Sequence, residues 1–152
     1  MISKHVSAAR TTTVHVIPFQ ELSTDLKLPL YPGVSAGFPS PADDYLEEYL
    51  DVGSYLVKNP PATFFVRVQG DSMIGASIHP GDILVVDRSL PAVHNSIVIA
   101  VLNGEFTVKR LYKKGSTLSL QPANADYPAF VIEEGDEFQV WGVVAHVLHR
   151  PV

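Results

Sequence analysis

Residues 96–112 constrain the fold most, because an Asn-Gly pair separates two apolar runs there. The flanking runs, residues 96–102 and 105–112, are rich in β-branched and aromatic side chains, which favour strands. Asn103 and Gly104 suit a two-residue turn, since both of its central positions need a positive φ angle. The sequence therefore predicts a β-hairpin in the second half of the chain.

Further strand-like runs surround this hairpin and define the predicted fold class. The same residue types recur at residues 64–69, 82–87, 117–120 and 138–148. Ser40 is a suitable N-cap for a helix over residues 40–50, with Pro41 in its first turn and a helical spacing of Tyr45, Leu46, Tyr49 and Leu50 along one side. Residues 51–58 are expected to form a second short helix, which ends at Asn59. The sequence thus predicts a mainly β domain preceded by short helices.

The chain before residue 40 has a different character. Residues 29–41 contain four prolines and two glycines, a composition that favours an extended, accessible path over regular structure. Small residues at Ser35, Ala36 and Gly37 leave the backbone open to approach. Before residue 30 there is no sustained helical period and no helix-turn-helix pattern. A linker is the simplest interpretation of this segment.

Length and composition exclude several classes of site. A chain of 152 residues suits one domain, alone or with an arm. It has no cysteine, which excludes disulfides, thiolate metal sites and cysteine nucleophiles. No apolar run reaches the length of a membrane span, and the N-terminus lacks the pattern of a signal peptide. We therefore expect a cytoplasmic protein with no membrane segment.

The charge of the chain bears on nucleic-acid binding. A net charge of −5 argues against a large phosphate-binding face. One local basic cluster comprises Lys109, Arg110, Lys113 and Lys114. It is either a solvated hairpin end or a contact with nucleic acid or an acidic partner. We expect no sequence-specific DNA binding by this chain alone.

Ser72 is the candidate nucleophile. It follows a predicted strand within the sequence Gly70-Asp71-Ser72-Met73, where a hydroxyl can be presented to a substrate. Gly70 permits a tight backbone path, and the amides around Ser72 and Met73 are candidates for an oxyanion hole. The alternative is that Ser72 is an ordinary turn residue.

A serine nucleophile needs a base, and histidine is the usual one. None of the histidines lies in a recognisable triad context, and His146 and His149 fall on opposite faces of an apparent strand. We expect surface or packing roles for all of them, and no metal site. The six are His5, His15, His79, His94, His146 and His149.

Lys109 is the better candidate base. It would share one strand face with Thr107 and Leu111, because side chains alternate along a strand. A lysine acts as a base only when neutral, and its ordinary pKa of about 10.4 leaves about one in a thousand neutral at pH 7. Burial lowers a lysine pKa by about 3 units or more. A solvated lysine is the alternative, and spacing alone does not decide between them.

Residues 36–45, 70–74 and 104–111 together carry a resemblance that no single motif provides. They are similar to the cleavage region, the serine box and the lysine box of the LexA/UmuD family of self-cleaving serine-lysine peptidases (S24-type). The resemblance continues through residues 81–87 and 142–147, and it is strongest to the UmuD-like SOS mutagenesis proteins. It implies a catalytic domain of twisted, mostly antiparallel sheets with short helices, preceded by an extended N-terminal arm.

The resemblance also implies roles for individual residues. Ser72 would be the nucleophile, Lys109 the general base, and the bond between Ala36 and Gly37 the target. Residues 1–36 would form a cleavable arm, and residues 37–152 the catalytic and dimerisation domain. No cofactor is implied.

The UmuD-like branch fits this sequence better than the LexA-like repressors do. Only 36 residues precede the expected cleavage site, and they contain no helix-turn-helix signature. The UmuD-like branch implies a homodimer whose self-cleavage is stimulated by a RecA-ssDNA filament. It also implies that the processed form joins a Y-family translesion DNA polymerase as an accessory subunit. The alternatives are a LexA-like or phage-type transcriptional regulator and a non-catalytic polymerase accessory module.

Overall fold

The computed structural model describes residues 26–31 and 48–151, which contain nine strands and one α-helix. In chain order these elements are β1 (Lys27–Leu30), β2 (Glu48–Asp51), α1 (Val52–Leu56), β3 (Thr63–Arg67), β4 (Ile83–Asp87), β5 (Ile97–Leu102), β6 (Glu105–Lys114), β7 (Thr117–Gln121), β8 (Phe130–Val131) and β9 (Phe138–Leu148). Short 3₁₀ turns span Pro60–Ala62 and Ile74–Ala76.

Seven of the strands form one sheet, in the order β3-β4-β9-β5-β6-β7-β8. Every neighbouring pair in it is antiparallel. The last strand of the chain, β9, lies inside the sheet and pairs with both β4 and β5. Strands β1 and β2 pair with each other in a separate two-stranded sheet. The prediction of a mainly β fold with antiparallel sheets is confirmed.

The predicted Asn-Gly hairpin is present between β5 and β6. Leu102 pairs with Glu105, so the turn contains only Asn103 and Gly104. Their φ angles are 49° and 83°, the positive values that such a turn requires. The hairpin fixes the register of β6, the strand that carries Lys109.

The core consists of two apolar clusters on opposite faces of β5. Ile99 belongs to one cluster, whereas Val98 and Ala100 belong to the other, because side chains alternate along a strand. The first cluster also includes Met73 and Ile78, which lie in the connection between β3 and β4 and are almost completely buried. These two side chains therefore anchor a non-strand segment against the sheet.

The two predicted helices have different outcomes. The second is confirmed as α1, where Asp51 acts as N-cap and accepts a hydrogen bond from the Ser54 amide at 3.2 Å. The first, expected over residues 40–50, is wrong at its C-terminal end, because Glu48–Asp51 forms strand β2. Backbone pairing with β1 decides the conformation of this stretch in place of helical periodicity. The remainder of that prediction, residues 40–47, lies outside the described residues.

Candidate active site

The connection between β3 and β4 carries Ser72. Gly70 has a φ angle of 76°, a left-handed conformation that residues with a side chain rarely adopt, and the chain turns there. Met73 follows Ser72 and is 1% exposed in the first core cluster. The Ser72 carbonyl accepts a hydrogen bond from the Ala123 amide at 2.8 Å. Ser72 is thus held between a sharp turn and a buried side chain.

Residues 123–127 clamp this connection from the other side. The Gly75 amide donates to the Ala123 carbonyl at 2.7 Å. The Asn124 side-chain amide donates to the Asp71 carbonyl at 2.9 Å, and the Tyr127 hydroxyl donates to the Asp71 carboxylate at 2.6 Å. These positioning contacts were not expected from the sequence, since they join residues 48 to 56 positions apart.

Lys109 reaches Ser72 from β6. Its Nζ atom lies 3.0 Å from Ser72 Oγ, 2.7 Å from Thr107 Oγ1 and 3.0 Å from the Val108 carbonyl oxygen. A charged ammonium can donate to all three oxygens. A neutral amine can donate to Thr107 and Val108 while its lone pair accepts the Ser72 hydroxyl proton. The geometry therefore suits both protonation states.

Burial lowers the pKa of Lys109 below the ordinary lysine value. Removal from water disfavours the charged ammonium more than the neutral amine. Within residues 26–31 and 48–151, no carboxylate forms a salt bridge with Lys109 that would oppose this effect. Burial thus makes the neutral form of Lys109, which can act as a base, more populated than in an exposed lysine.

The pair lies on the wall of an open cleft of about 440 Å³. Phe64, Val66 and Trp141 contribute to its largely apolar lining. A second depression of about 270 Å³ reaches towards Phe130 and shares Phe106, Thr107 and Lys109 with the first. The cleft therefore extends on both sides of Lys109, as binding of an extended chain requires.

The backbone amides beside the nucleophile bear on the predicted oxyanion hole. Neither the Ser72 amide nor the Met73 amide donates a hydrogen bond to any residue in the described part of the chain. Gly70, the other residue named for this turn, sets the direction of the backbone as it enters the loop. The two amides are thus candidate donors to an oxyanion near Ser72 Oγ.

The other residues singled out in the sequence either lie apart from Ser72 and Lys109 or fall outside the described residues. Ala36 and Gly37, the expected cleavage site, lie outside the described residues. In the basic cluster, Arg110 donates to the Asn95 carbonyl and Lys113 to the Ala92 carbonyl, so both cap nearby backbone.

The described histidines lie away from Ser72. His94 accepts a hydrogen bond from the Lys113 amide, and the His146 ring packs against Tyr55. His79 and His149 lie next to Asp82. The remaining two, His5 and His15, fall outside the described residues.

Among the described residues, none of the helices has both the length and the apolar character that crossing a membrane requires.

Comparison with known proteins gives concordant matches. Residues 29–145 match the family described as Peptidase S24-like. The chain is 49% identical to protein MucA of Salmonella typhimurium over 121 residues, which cover 78% of this chain and 82% of MucA. It is also 49% identical to protein ImpA of Salmonella typhimurium over 115 residues, covering 76% and 78% of the two chains. LexA repressor 1 of Geobacter sulfurreducens is 39% identical over 131 residues, which cover 85% of this chain and 63% of the repressor.

The antiparallel sheet presents a serine next to a half-buried lysine, and the family match covers most of the chain. The chain therefore belongs to the Peptidase S24-like family. Within the LexA/UmuD group, it is a UmuD-like SOS mutagenesis protein of the self-cleaving type. MucA and ImpA resemble it more closely than the LexA repressor does.

Proposed function

We propose that this protein cuts its own chain between Ala36 and Gly37, with Ser72 as nucleophile and Lys109 as general base. The observation that carries the proposal is the distance of 3.0 Å between Lys109 Nζ and Ser72 Oγ on the wall of an apolar cleft. The lowered pKa of Lys109 supports it, because a serine hydroxyl is a weak nucleophile until a base removes its proton.

The reaction would proceed in two steps. Neutral Lys109 takes the proton of Ser72 as Ser72 Oγ attacks the Ala36 carbonyl carbon, and the resulting oxyanion accepts hydrogen bonds from the Ser72 and Met73 amides. The bond to the Gly37 nitrogen then breaks, and that nitrogen receives the proton from Lys109. Water, activated by neutral Lys109, releases the acyl group from Ser72 in the second step.

The small residues of the proposed cleavage site suit a cleft that contains a half-buried lysine. Ala36 and Gly37 carry little or no side chain, so their backbone can approach a half-buried lysine closely. The two depressions on either side of Lys109 offer room for the chain before and after the bond to be cut. Cleavage would separate an arm of residues 1–36 from a catalytic and dimerisation domain of residues 37–152.

The similarity to MucA and ImpA supports a place in SOS mutagenesis. We propose that the protein forms a homodimer, that a RecA-ssDNA filament stimulates its self-cleavage, and that the processed form serves a Y-family translesion DNA polymerase as an accessory subunit. The cytoplasm is the compartment where these partners would meet it. A LexA-type regulator is the weaker candidate, at 39% identity against 49%.

Incubation of the purified protein at alkaline pH tests the catalytic assignment. Deprotonation of Lys109 should release a fragment that begins at Gly37, detected by its mass, without any cofactor. Ser72→Ala and Lys109→Ala should remain uncut, because each removes one half of the pair. Ser116→Ala and Lys114→Ala are matched controls at exposed positions and should be cut at the rate of the unaltered protein.

Two outcomes would contradict the proposal. If Ser72→Ala still yields the fragment that begins at Gly37, Ser72 is not the nucleophile. If the unaltered protein stays intact for hours at alkaline pH while remaining folded, the pair is not active and the chain is a non-catalytic accessory module.

A further inference from the structure

Three potential metal ligands lie close together in space, although the third is about 70 residues from the other two in the sequence. His79 and Asp82 lie at the end of the connection from β3 to β4, and His149 directly follows β9. Asp82 Oδ2 lies 3.7 Å from His79 Nδ1, and Asp82 Oδ1 lies 2.6 Å from His149 Nδ1. One ligand atom of each residue falls within 4.8 Å of the other two. The three ligand atoms thus lie close enough together for small side-chain movements to place them around one ion.

Asp82 provides a fixed anionic centre for this cluster. Its side chain is only 4% exposed, and Oδ2 accepts a hydrogen bond from the His79 backbone amide at 2.8 Å. That amide, followed by the hydrogen bond to His149, lowers the pKa of Asp82 below its ordinary value. The carboxylate therefore stays ionised at neutral pH and is held in one orientation.

The two imidazoles can adjust around this carboxylate. Their side chains are 46% and 47% exposed, and their ring centroids lie 5.0 Å apart. With bonds of about 2.0–2.2 Å, the ligand atoms of a tetrahedral zinc ion lie about 3.4 Å from one another. The widest separation in the cluster would therefore close by about 1.4 Å, and the contact between His149 and Asp82 would open by about 0.8 Å.

The proton on the ring of His149 does not prevent binding. In the present contact, His149 Nδ1 lies at hydrogen-bond distance, 2.6 Å, from Asp82 Oδ1. A neutral imidazole can carry its single hydrogen on Nε2 instead, which frees the Nδ1 lone pair for a metal. Imidazole nitrogen with one carboxylate suits zinc and its neighbours, whereas magnesium and calcium prefer all-oxygen sites.

We propose that His79, Asp82 and His149 bind one divalent transition-metal ion of the zinc class, with water in the fourth position. The bound ion would join the connection that carries Ser72 to the chain directly after β9. The proposal is independent of the reaction assigned to Ser72 and Lys109. It revises the expectation that none of the histidines serves a metal, since residues 70 positions apart give no linear spacing signal.

Calorimetric titration of the full-length protein with Zn²⁺ tests this site. We expect saturable binding of one ion per chain that EDTA reverses, and no comparable binding of Mg²⁺. Replacing a residue that only hydrogen-bonds to a metal ligand lowers metal affinity by about 10–100-fold. Loss of a ligand itself, in His149→Gln or His79→Gln, should therefore lower the affinity for Zn²⁺ by at least about 100-fold. His94→Gln removes an exposed imidazole elsewhere and should bind Zn²⁺ like the unaltered protein.

Resonances of the histidine rings provide a readout that needs no variant. On addition of Zn²⁺, the ring nitrogens of His79 and His149 should shift, while those of His94 and His146 should not. Zinc binding that survives both His79→Gln and His149→Gln, or the absence of saturable binding to the folded unaltered protein, would overturn the proposal.

Discussion

A methyl group added at Gly75 tests how the Ser72 connection is held in place. The Gly75 amide donates to the Ala123 carbonyl at 2.7 Å, and a Cβ atom at Gly75 would lie 2.5 Å from that same oxygen. Ordinary van der Waals contact begins at 3.4 Å, so the two segments must separate by about 0.9 Å. The obstructing atom belongs to the backbone, which cannot rotate away as a flexible side chain can.

This displacement should reach the proposed nucleophile. The Ala123 amide also donates to the Ser72 carbonyl, so the shift acts on the segment that positions Ser72 Oγ 3.0 Å from Lys109 Nζ. A misplacement of about 1 Å can reduce a rate on the order of 100-fold. We therefore expect Gly75→Ala to slow self-cleavage by about that factor and to lower the free energy of unfolding by about 1–3 kcal/mol.

The measurement compares Gly75→Ala with Gly53→Ala. A Cβ atom at Gly53 would lie 3.5 Å from the Asp51 carboxylate, which is an ordinary contact, so this control adds the same methyl group without a clash. Rates of fragment formation at alkaline pH are followed by mass, and stability is followed by denaturant unfolding. If folded Gly75→Ala is cut as fast as Gly53→Ala, the contact with Ala123 does not position Ser72 and the argument fails.

Three further predictions concern the same site. The rate of self-cleavage should rise about tenfold per pH unit while Lys109 is mostly charged and then reach a plateau, and the midpoint of this rise should lie below the ordinary lysine pKa. A flat profile would exclude a lysine base. Thr107→Val removes an acceptor 2.7 Å from Lys109 Nζ, which stabilises the ammonium more than the amine, so the midpoint should move to lower pH; a move to higher pH would contradict this. Tyr127→Phe removes the hydrogen bond to Asp71 and should lower the free energy of unfolding slightly, with a modest loss of rate; an unchanged stability would show that this contact contributes nothing.

The strands that were predicted correctly are those with a strong local signal. Residues 96–102 and 105–112 are β-branched and aromatic on either side of an Asn-Gly pair, and the structure contains that hairpin. The strands that were missed, β1 and β8, have four and two residues and are exposed, which is too short a pattern to mark a strand, and β1 contains Pro29. In β2, helical spacing of apolar residues was misleading because pairing with β1 is a long-range contact.

The site was only partly predictable for a related reason. Ser72 and Lys109 lie 37 residues apart, and only resemblance to a known family linked them in the sequence. Thr107 was placed on the strand face of Lys109 because side chains two positions apart point the same way, and the structure shows its hydroxyl 2.7 Å from Lys109 Nζ. Asn124 and Tyr127 carried no such signal, since they reach Asp71 from a loop whose path depends on the whole sheet.

Pairing of β1 with β2 affects what the proposed cut would achieve. The two strands lie on opposite sides of the Ala36–Gly37 bond in the sequence, and four residue pairs join them. Among the described residues, this ladder and the hydrogen bond from the Val52 amide to the Leu26 carbonyl would hold residues 26–31 to the body after such a cut. While the chain is intact, a short linker keeps the two strands at an effective concentration of about millimolar, and cleavage removes that advantage. An isolated two-stranded pairing is marginal in water, and Leu28 and Leu30 are exposed in this one. Cleavage would therefore act by making β1 free to dissociate, which exposes the backbone edge of β2 to a new partner strand.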